Sequence, residues 1–274
     1  INEKEILSVQ GEEQAKELQM KFVLATDSFK ESMTASEVCQ AMKKGIKKAI
    51  PDAEVVSVPM ADGGEGTTDS LIDATNGQKH FLNVTDPLGK KVNAYYGILG
   101  DQKTAIIEMA QASGLTYVDK NNRTPETIMK TTTYGTGELI NDALKHNVNK
   151  IIIGLGGSST NDGGAGMAQA IGVKFFDQNN HEITKKLGGG DLNQIAKIDL
   201  SAINPRLKDV QVLIASDVTN PLTGQNGASA VFGPQKGADA QTVKELDQNL
   251  SHYAALIQQT CKKDVAAIPG SGAA

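Results

Sequence analysis

Tryptophan is absent from the 274 residues, and aromatic side chains make up only 4%. Proteins that bind nucleic acid by stacking bases need exposed aromatic platforms, so that class is disfavoured at the outset. Arginine is scarce too: Arg123 and Arg206 are the whole complement, and the other basic residues are lysines. With a formal net charge of −5, neither a nucleic-acid backbone nor an anionic membrane meets a matching surface. Cysteine occurs twice, at Cys39 and Cys261, too far apart for zinc or dithiol spacing; both read as buried thiols in a reducing compartment. No apolar run approaches the ~18 residues that cross a bilayer. The N-terminus also lacks the basic-then-apolar profile of a secretory signal. A cytoplasmic location is the expectation.

What is present is an ordinary globular composition, 39% hydrophobic and 22% charged, with 28 glycines. The length suits one large or two modest domains. Residues 1–19 are polar and rich in Glu, and Met20 then precedes the first apolar strand. Met20 therefore reads as the natural start, with 1–19 as a leader or added extension. Strand 21–26 leads into DSFKES and a helix whose Thr34 and Glu37 have capping-box spacing. Val38, Met42, Ile46 and Ala49 share one face of it, and Pro51 ends it. Strand 54–59, the loop MADGGEG and a helix through Leu71 and Ile72 complete a β-α-β-α run, the pattern of a parallel sheet. Segments 81–84, 92–99 and 104–109, separated by turns at Asp86-Pro87 and Gly100-Asp101, read as antiparallel strands. Helix 139–144, strand 150–154, helix 167–171 and strands 173–176 and 210–215 follow. A last helix, boxed by Thr242 and Glu245, carries Val243, Leu246, Leu250, Tyr253, Ile257 and Cys261 on one stripe. The fold class is α/β with two lobes, one Rossmann-like with a parallel sheet and one mixed α/β. The boundary is placed at 64/65: residues 20–64 begin the first lobe and 65–274 form the second.

Loops that follow parallel strands gather at one sheet edge, where α/β proteins bind ligands. Residues 154–166 read GLGGSSTNDGGAG. No Gly-Lys-Ser/Thr makes it a Walker A loop, Ser159 stands where GxGxxG needs glycine, and no GxSxG elbow is present. It offers backbone donors, the hydroxyls of Ser158, Ser159 and Thr160, and a helix start near Asp162, together an anion site suited to phosphate. The alternative is that Asp162 only caps the helix and the glycines only turn the chain. In ADGGEGT (61–67), Asp62 and Glu65 could hold Mg²⁺ or accept a hydroxyl proton, or simply cap a helix. In DSFKES (27–32), Lys30 is the sole loop cation, able to neutralise charge in phosphoryl transfer or merely solvated. In SDVTNPLTG (216–224), Asp217 directly follows an apolar strand, a position for a base or metal-binding carboxylate. TTTYGTG (131–137) adds hydroxyls at another helix start, and Arg123 upstream could clamp a carboxylate. His80, His146, His181 and His252 lie outside these loops, and no nucleophilic triad is available. Such a set suits a reaction that depends on positioning and fixed donors, which favours an ATP-dependent small-molecule kinase.

These stretches, with ATDSFKESMTASE, PMADGGEGT, VTDPLGKKV, YGILGD, IEMAQASGL, TTTYGTGELI, IIIGLGGSSTNDGGAGM, GASAVFGPQKGA and IPGSGAA, run in order from Met20 to Ala274. In them the chain resembles the bacterial two-domain glycerate kinases. The resemblance implies an active site between two α/β lobes and phosphorylation of D-glycerate by ATP with Mg²⁺, giving 2-phosphoglycerate or 3-phosphoglycerate. It implies Lys30, Asp162 and Asp217 as catalytic residues, with the base left open between the two aspartates. Substrate or phosphate binding would fall to Asp27, Ser28, Asp62, Gly63, Gly64, Glu65, Arg123, Gly156, Gly157, Ser158, Ser159, Thr160, Asn161 and Asn220, and metal binding to Asp62 and Asp217. Spacing around Arg123 is looser than in the family. Glycerate is the expected small-molecule partner, with no nucleic acid or membrane and a homodimer as the assembly considered. Family members continue for roughly another hundred residues, a domain-sized length, beyond the motif at which this chain stops. Those residues would add strands to the Rossmann-like lobe, so strands 21–26 and 54–59 are expected to show bare apolar faces here. A non-catalytic phosphate-binding domain, or a kinase for another small hydroxy acid, is the alternative.

Overall fold

The computed structural model describes residues 20–27, 29, 32–60 and 66–273. Its contacts divide the chain into two units, Ile1–Met60 and Ala61–Ala274.

In the first unit, β1 (Lys21–Leu24) lies parallel to β2 (Glu54–Ser57), with Lys21 opposite Glu54 and Leu24 opposite Ser57. Helix α1 (Ala35–Ala49) connects them. Its start is the capping box read from the sequence: Glu37 N donates to Thr34 Oγ1 at 3.2 Å and Thr34 N donates to Glu37 Oε2 at 2.8 Å. Two of the orphan amides at a helix end are satisfied this way. Val38 and Cys39 are buried, and the Cys39 thiol donates to the Leu24 carbonyl. Met42, on the same predicted apolar face as Val38, is exposed, as are Val23 and Val58. Among the described residues β1 and β2 pair only with each other, so each strand has an unpaired edge.

The second unit is built on a five-stranded sheet in the order β3-β4-β5-β6-β9. Helix α2 (Thr67–Thr75) leads into the hairpin β3 (Gln78–Thr85) and β4 (Lys91–Ile98). The turn between them is held by Asp86 Oδ1, which accepts from Leu88 N and Lys90 N, and Gly89 there has φ +88°. β4 runs antiparallel to β5 (Thr104–Glu108), which then runs parallel to β6 (Lys150–Gly154) and β6 to β9 (Gln211–Ala215). All five residues of β5 are buried, which explains why it reads as an apolar run without alternation. Between these strands come α3 (Ala110–Ser113), α4 (Pro125–Lys130), α5 (Tyr134–Ala143) and α6 (Ala165–Ala170). Leu139, Ile140 and Ala143 of α5 pack on Tyr96, Ile107, Ile151 and Ile153 of the sheet. A second core joins the small pair β7 (Lys174–Phe176) and β8 (Lys197–Asp199) to the C-terminal helices α7 (Ala228–Lys236) and α8 (Ala240–Cys261). β9 is the sheet edge, and Val212 and Ile214 on it remain 42% and 56% exposed.

Two expectations need correction. Helix α8 begins at Ala240, capped by Asp239 Oδ1 accepting from Thr242 N at 2.8 Å. Gly237, at φ +111°, breaks the chain just before it, so Asp239 takes the cap and Thr242 is drawn inside the first turn. Cys261 ends the helix exposed, because the buried stripe is already complete at Leu246, Leu250 and Tyr253. Among the described residues, no helix is long and apolar enough to cross a membrane.

Candidate functional site

Parallel pairing places Glu108, Gly154 and Ala215 side by side at the C-terminal ends of β5, β6 and β9. The three following loops therefore leave one sheet edge together. The loop after β6 is stitched to its neighbours. Ser159 N and Oγ donate to the Ser113 carbonyl at 3.0 and 3.1 Å, Leu115 N donates to the Gly157 carbonyl, and Thr131 Oγ1 donates to the Ser159 carbonyl. Gly163 and Gly164 sit at φ +56° and +76°, a region that excludes most side chains. A Cβ on Gly166 would lie 2.2 Å from Thr132 Oγ1, so only glycine lets α6 close against the 131–137 loop.

Asp162 organises this turn from a fully buried position. Its Oδ2 accepts from Thr133 N at 2.9 Å, Thr133 Oγ1 at 2.7 Å and Gly166 N at 3.2 Å, and its Oδ1 accepts from Gly164 N at 3.1 Å. Burial pushes its carboxyl above the usual range, against the downward pull of those four bonds. Both oxygens of Asp162 are used within the protein and none faces solvent, the geometry of a residue that holds its loop. The carboxylate already occupies the amides that a ligand at the α6 N-terminus would take, and α6 is a short helix.

Unsatisfied polar groups lie one step earlier in the loop. Thr160 and Asn161 are fully buried, yet Thr160 Oγ1 and Asn161 Nδ2 have no hydrogen-bond partner among the described residues. Buried polar groups are nearly always paired, so two orphans side by side point to a polar ligand. Thr160 lines a cavity of about 600 Å³ together with Thr133 and Thr136 from the 131–137 loop and Ser216 from the loop after β9. Along the sheet the same cavity is apolar, walled by Ile151, Ile153, Val212 and Ile214. Three of the loops singled out in the sequence thus meet at one space.

Sequence reasoning missed Lys236. The last residue of α7 is buried, and its ammonium donates to Ser158 Oγ at 2.8 Å and to the Thr160 carbonyl at 2.5 Å. Burial lowers its pKa to about 8, with the charge of Asp162 opposing the shift. The unfolded chain holds the lysine proton up to the ordinary value of 10.5, so between about pH 8 and 10.5 the unfolded state binds more protons. Stability from this group is therefore lost as pH falls through about 8 and rises as pH climbs toward 10.5. In urea titrations across that range, the difference in unfolding free energy between the parent and Lys236→Met should move in favour of the parent. A pH-independent difference would show that the folded lysine titrates normally. Glu108 was missed too: it ends β5 buried, accepts from Thr68 N at 2.6 Å and so caps α2, and burial raises its pKa. Its signal was an acid closing an apolar strand, the same signal that picked out Asp217.

The remaining expected residues fall as follows. Asp217 is exposed and makes no hydrogen bond or ion pair among the described residues; Ser216 and Val218 on either side line the cavity, and Asp217 does not. Asn220 ties its loop down, with Nδ2 donating to the Asn226 carbonyl and its own carbonyl accepting from Gly270 N and Gly272 N. Arg123 donates from Nε to the Val118 carbonyl and from Nη2 to the Leu115 carbonyl, closing the 115–123 segment. Gly156 and Gly157 form the start of the turn, with Gly157 at φ +73°. Asp27 is exposed in the turn after β1, in the first unit. Ser28, Lys30, Asp62, Gly63, Gly64 and Glu65 lie outside the described residues.

Comparison with known proteins supplies a family for this arrangement. A family model described as the glycerate kinase family matches residues 22–274. A protein of Escherichia coli (strain K12) named glycerate 2-kinase is 56% identical over 255 residues, spanning 93% of this chain and 66% of the relative. Glycerate kinase of Bacillus subtilis (strain 168) is 50% identical over 255 residues, spanning 93% and 65%. A crystal structure from Salmonella typhimurium LT2, assigned to a glycerate kinase 2, superposes with a TM-score of 0.83 at 49% identity, covering 92% of this chain and 66% of that one. The chain thus spans just under two thirds of the length of these relatives.

Proposed function

The chain belongs to the glycerate kinase family, and on that premise we propose that the protein moves the γ-phosphoryl group of ATP onto a hydroxyl of D-glycerate, yielding ADP and 2-phosphoglycerate. The observation that carries the reading is the pair of orphaned buried donors, Thr160 Oγ1 and Asn161 Nδ2, in the loop that follows β6 in the parallel part of the sheet. Phosphoryl transfer demands little covalent chemistry from a protein; it needs phosphates held in line with an acceptor and growing charge met by fixed donors. In this reading, Thr160 and Asn161 hold phosphate oxygens. Ser159 and Asp162 fix the loop so that those donors cannot turn away. The apolar side chains of Ile151, Ile153, Val212 and Ile214 line the same cavity. Lys30, Asp62 and Glu65 remain part of the proposal through the family resemblance.

Among the described residues, no three His, Cys, Asp or Glu side chains gather at one point. A nucleotide-borne Mg²⁺ takes most of its ligands from phosphate and water and needs only one or two carboxylates. Asp217, exposed and unpaired at the sheet edge, fits that demand, with Asp62 as the expected second ligand. When bound, the ion would neutralise charge on the phosphate oxygens. ADP release, followed by a coupled assay, should require both Mg²⁺ and D-glycerate, and ³¹P NMR of the product should show phosphate on the 2-hydroxyl. Phosphate on the 3-hydroxyl would correct the regiochemistry. Stabilisation by ATP without turnover would overturn the kinase in favour of a binding domain.

A further inference from the structure

Helix α7 grips the Gly-rich loop at both of its ends. In its first turn Ser229 Oγ meets Asn161 Oδ1 at 3.0 Å, and at its last residue Lys236 Nζ donates to Ser158 Oγ and to the Thr160 carbonyl. All of these partners belong to the four-residue stretch that holds the orphaned donors. We propose that Lys236 is the cation of the anion-binding loop, a positioning residue that holds Ser158 and the Thr160–Asn161 peptide as donors for a phosphoryl group. The inference rests on the phosphate reading of the loop given above.

The chemistry follows from what each partner must do once the ammonium is in place. Ser158 Oγ accepts from Lys236, so its own proton is committed to a different acceptor. The Thr160 carbonyl accepts from a charged donor, which polarises that peptide and strengthens Asn161 N–H as a donor, since hydrogen bonds in a chain reinforce one another in a dry interior. Thr160 Oγ1 and Asn161 Nδ2 are unpaired beside them. The Asp162 carboxylate, whose charge acts on the lysine, has its oxygens turned to Thr133, Gly164 and Gly166. The loop groups gathered around Lys236 are therefore donors, the Asp162 oxygens being bonded elsewhere. A staple between α7 and the loop could be made by a neutral donor without the large desolvation cost of an ammonium. Among the described residues the charge acting on this ammonium is that of Asp162, whose oxygens are bonded elsewhere, so an anion held at the loop would complete its pairing.

The test compares the parent protein with Lys236→Met and Lys236→Gln, the second keeping a neutral donor of shorter reach. Inorganic phosphate and ADP serve as probes in thermal-shift titrations, and kcat and both KM values are measured with ATP and D-glycerate. Loss of a charge-assisted donor set should weaken phosphate binding by about tenfold or more in both variants. KM for ATP should rise by a similar factor while KM for D-glycerate stays within about twofold, a split that general loosening of the fold would not produce. If Lys236→Met does not fold, Lys236→Gln alone decides. Parent-like phosphate binding and KM for ATP in Lys236→Gln would overturn the inference and leave the lysine a staple. Failure of the parent itself to bind phosphate or ADP would overturn the phosphate reading first, and the inference with it.

Discussion

Asp162→Ala should be the most damaging single substitution in the second unit, and its damage should appear in stability before it appears in chemistry. Four donors converge on this carboxylate, three of them on one oxygen. Alanine leaves the buried amides of Thr133 and Gly166 without acceptors and leaves the Lys236 ammonium without the one charge that acts on it. Orphaning a single buried group costs ~1–3 kcal/mol, and Asp162 is the acceptor for four such donors. These terms overlap rather than add, so a loss of about 3–5 kcal/mol is expected, or a melting point lower by on the order of 10 °C for a unit of this size. Asp162→Asn separates the two roles the sequence left open. Asparagine keeps one acceptor but opposes an NH₂ group to a backbone N–H, so stability should fall by a smaller amount. A general base would lose ~10²–10⁴ in kcat on becoming an amide. A loop-holder should keep kcat within about tenfold once only folded molecules are counted, well short of that loss. Unchanged melting with activity abolished would return Asp162 to the base.

The contrast between what the sequence disclosed and what it hid follows from the range of the interactions involved. Thr34 and Glu37 lie three residues apart, and their capping box is found as read. The Asp86-Pro87 turn is equally local, since Asp86 bonds amides two and four residues on. The β6 strand was legible because a run of isoleucines ending in glycine admits few other readings. Lys236 was hidden because its partners lie 78 and 76 residues away. Taken locally, a lysine in the last turn of a helix is a routine complement to the helix dipole. Only the packing of α7 against the loop turns that solvated cation into a buried one. Asp162 was half legible. Its place beside a helix start was correct, but whether it faces the ligand or the helix depends on Thr133, which arrives from 29 residues away. The fold class needed no such long-range knowledge, since alternation of strand and helix already implies parallel pairing. The exposed face of β9 could not be foreseen from its own strand, because burial depends on every neighbour at once.

Asp217→Asn should give the opposite signature to Asp162→Ala, with activity lost and fold retained. The carboxylate is exposed and has no hydrogen bond or ion pair among the described residues, so the isosteric amide removes nothing that holds the unit together. Unfolding free energy should change by no more than about 0.5 kcal/mol, the usual scale for such surface changes. If Asp217 ligates the nucleotide's Mg²⁺ or accepts the hydroxyl proton, kcat should fall by ~10² or more. The two roles part on metal dependence: a lost ligand raises the Mg²⁺ concentration needed for half-maximal rate, whereas a lost base leaves it unchanged and flattens the acid limb of the pH–rate profile. Ser216 and Val218 line the space that Thr160 lines and Asp217 does not. Near-parental rates would take Asp217 out of the site altogether. The metal-binding carboxylates would then have to come from the ADGGEG loop, which makes Asp62→Asn and Glu65→Gln the next substitutions to assay.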